Sequence, residues 1–144
     1  RQRYGRFFKM AYQVLPSDGI MLLHTIVRPS FKEARARGMT LTHEIVHFSQ
    51  FILTEIFPGG WLPTPQTVGE YAVTAGFELT RVQLLGEHYE RTLNLWAANL
   101  AANKDAAIAI QSQEVYDRYM KYLTGCEDFF RKGISNVGQF TLVK

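Results

Sequence analysis

His43, Glu44 and His47 stand in the stretch LTHEIVHFSQF, residues 41–51, with the spacing H-E-x-x-H. On a helix, two histidines four apart face the same way and can share one zinc ion. A glutamate beside the first can act as general base on metal-bound water. The pattern therefore raises zinc peptidase chemistry, and two features weigh against it. At 100° per residue, Leu41, Ile45, Phe48, Ile52 and Ile56 gather on one side of a helix over 41–57. His43, His47, Gln50 and Thr54 fall on the opposite, polar side. A third ligand is also lacking. Glu55 lies about 12 Å beyond His47 along the same helix axis. Glu70 closes Thr67-Val68-Gly69-Glu70, the S/T-x-x-E spacing of a capping box that opens a short helix ending at Gly76. The histidine pair thus reads as a surface feature, with no metal expected and the zinc peptidase as a remote alternative.

Three other side chains have chemical interest. His24 sits in IMLLHTIV, near the C-terminal end of an apolar strand. Ligands of open α/β sheets gather at the C-terminal ends of strands. A histidine buried there needs a hydrogen-bond partner. Tyr89 lies on a helical stripe, and its hydroxyl needs a partner too. Cys126 is on a core stripe with no histidine near it in sequence, which describes an inert buried thiol. The chain contains neither G-x-G-x-x-G nor G-x-S-x-G, and FPGGW reads as a turn.

The elements that must position these residues follow from periodicity. Tyr4, Phe8, Ala11 and Leu15 mark an amphipathic helix, broken by LPSDG. IMLLHTIV reads as a strand covered on both faces of a sheet. RPSFKEARARGMT reads as irregular or weakly helical, and FELTRVQLL as a strand. Tyr89, Leu93, Trp96 and Leu100 form one helical stripe; Val115, Tyr119, Tyr122, Cys126 and Phe130 form another. QFTLVK closes the chain as a strand. This order implies α/β architecture, a sheet between helical layers. Three strands make a thin sheet for so apolar a chain, so further strands are expected upstream.

Composition sets the outer bounds. The 144 residues suit one domain, and 47% of them are apolar, enough for a core. The net charge of +3 is scattered, and the basic stretch FKEARARG is interrupted by Glu33, so no nucleic-acid partner is expected. One cysteine excludes an internal disulfide and fits a reducing compartment. The longest apolar runs fall short of the roughly 20 residues that span a bilayer. A soluble, cytoplasmic chain is the expectation.

GIMLLHTIV, TEIFPGGWLPT, GEHYERTLNLWAANLAANK, VYDRYMKYLTGC and QFTLVK together resemble the C-terminal half of the mycolic acid cyclopropane synthase family. These are S-adenosylmethionine-dependent methyltransferases related to cyclopropane-fatty-acid synthases. The resemblance implies a seven-stranded class I, Rossmann-like methyltransferase sheet with its last strand antiparallel. Residues 1–144 would supply strands five to seven of a single domain, with a lipid-side helical insertion at about 28–62. The Gly-rich cofactor loop and first four strands would lie upstream.

The resemblance also implies a reaction: methyl transfer from S-adenosylmethionine to a cis double bond of a long, mycolic-type acyl chain. Proton loss then closes a cyclopropane, with bicarbonate as base. His24 and Tyr89 match two of the family's bicarbonate ligands. Phe57, Tyr122 and Cys126 match positions lining the acyl site, where aromatic faces suit a developing cation. A hydroxylating or methyl-branching relative is an alternative. A non-catalytic lipid-binding or self-associating chain, pairing through an exposed sheet edge, is another. The implied partners are the acyl lipid, an acyl carrier protein presenting it, and peripheral contact with a membrane. Alone, the chain is expected to be inactive.

Overall fold

The run IMLLHTIV forms β1 (Ile20–Val27), β2 spans Glu78–Leu84 and β3 spans Asn136–Val143 in a computed structural model that describes residues 2–144. The last strand lies in the middle, in the order β1-β3-β2, and pairs antiparallel with both neighbours. β1 and β2 therefore run parallel to each other. Residue pairs such as His24↔Gln139 and Gln83↔Gln139 set the register. A bulge lies between Leu79 and Arg81.

Successive strand residues point to opposite faces, and each face of β3 has its own core. On one side Phe140 and Leu142 pack with Val27, Phe77, Phe8 of α1 (Gln2–Val14) and Val68 and Ala72 of α4 (Pro65–Ala75). On the other, Val137 packs with Leu93 of α5 (Gly86–Ala102) and with Leu123 and Phe130 of α7 (Gln113–Arg131). The expected sheet between helical layers is present. Its first strand is not covered on both faces, however: Ile20 and Leu22 are 65% and 59% exposed. The second helical layer reaches Ile26 and His24 but stops short of the lower strand, so apolar composition alone overstated its burial.

The predicted helix over 41–57 is two elements. Thr42 caps α3 (His43–Phe51) by accepting from the Ile45 N–H, and Ile52–Ile56 continue as a π-helix. Leu41 falls outside and is 80% exposed. Phe48 packs edge-on to Phe129 of α7, with ring centroids 4.7 Å apart. That approach needs Gly125, where an added Cβ would lie 2.0 Å from the Phe48 ring. The π-helix is tied to α7 by Glu55 and Arg118, 3.4 Å apart.

Two caps correct the sequence reading. The cap of α4 is Thr64, whose hydroxyl accepts from the Thr67 N–H; Pro65 follows at the first helical turn. Proline has no N–H to satisfy and its fixed φ suits that position, so the helix starts earlier than the Thr67 box implied. Glu70 instead accepts from Gln66, one turn back, at 2.7 Å. Gly76 ends α4 in the left-handed region at φ 111°, as expected. A capping box does exist at Ser30 and Glu33, opening α2 (Phe31–Ala36) in the stretch read as irregular or weakly helical. The Ser30 side-chain and backbone hydrogen bonds lower the Glu33 pKa, helped by Arg37. The short helix α6 (Lys104–Ile110) links α5 to α7. Among the described residues, no helix is long and apolar enough to cross a membrane.

Candidate active site

β1 places His24 on the sheet face that α5 covers, and α5 places Tyr89 one turn from its start. The two side chains meet although 65 residues separate them: His24 Nε2 and Tyr89 Oη are 3.1 Å apart. The strand partner of His24, Gln139, brings its amide nitrogen to 3.3 Å from His24 Nδ1. Both ring nitrogens are therefore engaged. Tyr89 is held from behind by Phe130, stacked with centroids 5.5 Å apart. Its hydroxyl has the partner its half-buried position requires. His24 differs from the sequence reading in being exposed rather than enclosed.

The apolar candidates lie on the same side of the sheet. Tyr122 and Cys126 of α7 and Tyr89 of α5 pack against one core cluster. Tyr122 meets Phe57 edge-on at 6.0 Å and Tyr119 at 6.3 Å. Phe57 ends the π-helix, held by its N–H to the Ile52 carbonyl, and is half-exposed before the Gly59 turn. Burial raises the Tyr122 pKa first, and Cys126, Tyr119 and Tyr89 add to the effect. Burial pushes the Cys126 thiol up to about 12. At neutral pH it is a small apolar surface, not a nucleophile. The arrangement is a polar pair at a strand, adjoined by a patch of aromatic rings and a protonated thiol.

The helical stripes were only partly as expected. Trp96 and Tyr119 are about half exposed, and Ala97 and Leu123 take the inward places. Gln139 was not singled out from sequence. Its signal was there: an uncharged polar residue in QFTLVK, on the closing strand. Only the register could pair it with His24.

His43 and His47 stand apart, exposed, with ring centroids 4.2 Å from one another. Glu55 is engaged by Arg118. Among the described residues, no group of three His, Cys, Asp or Glu side chains is placed to hold a metal ion.

A reversed last strand between two parallel ones, flanked by helices on both faces, matches part of a class I methyltransferase fold. The family model for mycolic acid cyclopropane synthetase matches residues 1–140, and the chain belongs to that family. Cyclopropane mycolic acid synthase 3 of Mycobacterium tuberculosis is 66% identical over 99% of this chain and 50% of its own length. Methoxy mycolic acid synthase MmaA3 of the same species is 54% identical over 99% of this chain and 49% of its own. The solved structure of mycolic acid cyclopropane synthase CmaA1 with SAH and CTAB superposes with a TM-score of 0.93 at 53% identity. It is matched over 100% of this chain and 50% of that one. The chain thus spans about half the length of these relatives.

Proposed function

We propose that this chain is the C-terminal part, strands five to seven, of a methyltransferase that converts a cis double bond of a mycolic-type acyl chain into a cyclopropane. The observation that carries this reading is the His24–Tyr89 pair, 3.1 Å apart and drawn from two distant elements in a chain of this family. The helical region at about 28–62 serves the acyl side.

S-adenosylmethionine would supply an electrophilic methyl group. This chain has no Gly-rich loop after a strand, which supports assigning cofactor binding to strands upstream of it. Bicarbonate fits the residues present: the Tyr89 phenol O–H, held by the His24 imidazole 3.1 Å away, can donate to a small oxyanion. When bound, it would supply the base for the proton lost as the ring closes. His24 and Tyr89 hold and orient it. Phe57 and Tyr122 offer ring faces to a cationic acyl carbon, because the ring quadrupole attracts positive charge without forming a bond. Cys126, protonated, lines the apolar wall without competing as a nucleophile.

Two experiments bear on this. The complete coding sequence, expressed in a host without cyclopropane lipids, should yield acyl chains one methylene heavier with the double bond lost. Calorimetry of the present chain with S-adenosylmethionine should show no binding, and micromolar binding would overturn the assignment of the cofactor site to the upstream strands. A second reading is supported by the likeness to a methoxy mycolic acid synthase. In that case water adds to the cation and the lipid product carries a hydroxyl and a methyl branch, which mass spectrometry separates from a ring.

A further inference from the structure

We propose that Gln139 is a positioning residue that holds His24 as the Nε2–H tautomer, and so makes the His24–Tyr89 pair a donor of hydrogen bonds rather than an acceptor. This rests on the reading of that pair as an anion site. A neutral imidazole has one N–H and one bare nitrogen, and which is which follows from what the other nitrogen meets. Gln139 presents its amide nitrogen to His24 Nδ1 at 3.3 Å, and an NH2 group can only donate. Nδ1 is then the bare nitrogen and Nε2 carries the hydrogen. Nε2–H donates to Tyr89 Oη across 3.1 Å, which leaves the phenol O–H free to point at a third group. The chain of donors runs Gln139 to His24 to Tyr89 and ends on a proton aimed outward.

The opposite amide orientation has the opposite consequence. A Gln139 carbonyl facing the ring would require Nδ1–H. Nε2 would then accept the Tyr89 proton, and the pair would offer lone pairs to an anion. Gln139 lies on the central strand, paired to His24 on one side and Gln83 on the other, so its backbone is fixed by both ladders.

The test is nitrogen NMR of the His24 ring in this chain, with no anion added and the signals assigned by their loss in His24→Asn. The expected result is a bare-nitrogen shift at Nδ1 and a protonated-nitrogen shift at Nε2. Gln139→Glu, whose carboxylate can only accept, should reverse the two. Gln139→Met, which fills the same space without hydrogen bonding, should give a mixture. Thermal melts identify which variants are folded, and either one suffices. Nδ1–H in the parent chain, or a ring state indifferent to both folded variants, overturns the proposal. Bicarbonate titration reads the anion site separately. An Nε2–H ring that bicarbonate leaves unperturbed removes the anion reading while the positioning role stands. Bicarbonate binding to a ring in the other tautomer does the reverse.

Discussion

Tyr89 combines two functions in one side chain: its ring stacks on Phe130 and its hydroxyl meets His24. Tyr89→Phe separates them. If the complete protein has the proposed activity, the fold should persist while the rate of forming ring-closed product should fall by about 10²–10⁴-fold, the range for a lost acid–base contribution. A variant with parental activity would remove Tyr89 from the site. Cys126 makes a different prediction. Its ordinary pKa of 9.0 is raised to about 12 in the folded chain by burial. The unfolded chain therefore releases this proton first as pH rises. The stabilising preference for the thiol is intact below about pH 9 and is lost progressively toward 12. Cys126→Ala should flatten part of that alkaline loss in denaturant melts across pH. Part should remain, because Tyr122 is shifted in the same direction. Residue types and a family resemblance picked out His24, Tyr89, Phe57, Tyr122 and Cys126. Gln139 escaped because a glutamine has no chemistry of its own; its role comes entirely from the nitrogen it faces.

At the scale of elements, α3 and α7 pack through one bare backbone position. Gly125→Val puts side-chain atoms where the Phe48 ring lies, and Phe48 is itself wedged against Phe51 and Phe129. Overpacking of this kind costs about 1–3 kcal/mol, and urea unfolding should show it; an unchanged midpoint would mean that α3 docks differently. Thr64→Ala should cost about 1 kcal/mol through the lost cap of α4. Thr67→Ala leaves that cap oxygen in place and should cost less, although it removes the 2.9 Å contact between the two hydroxyls. The reverse order would restore the capping box read from Thr67 and Glu70. That misreading is instructive: S-x-x-E at Ser30 and T-x-x-E at Thr67 look alike in sequence, and only Ser30 opens a helix. Pro65 was the better local signal for α4, since it fixes the first turn.

Over the whole molecule, stability rests on the strand that arrives last. Phe140 and Leu142 are fully buried against α1 and α4, and the C-terminal Lys144 donates to the Gly19 and Leu15 carbonyls. Phe140→Ala should cost about 3–5 kcal/mol, measurable as a large drop in the melting temperature. The far edge of β1 has no strand partner among the described residues, and the exposed Ile20 and Leu22 lie beside it. Open, apolar edges pair with other chains. Light scattering should therefore show self-association that grows with concentration and weakens in Leu22→Lys. A monomer at every concentration would count against it.

Periodicity, turn residues and apolar runs determined the strands, the main helices and their order, because these depend on neighbours a few residues apart. They also placed His43 and His47 on a polar face, which the exposed rings match. What the sequence left open depended on contacts between distant segments. β3 inserts between β1 and β2 rather than beside them, one face of β1 is left open, and the second helical layer ends at His24. The three polar groups of the site come from β1, α5 and β3, at positions 24, 89 and 139. No local pattern links them; the strand register and the packing of α5 on the sheet bring them within hydrogen-bond distance.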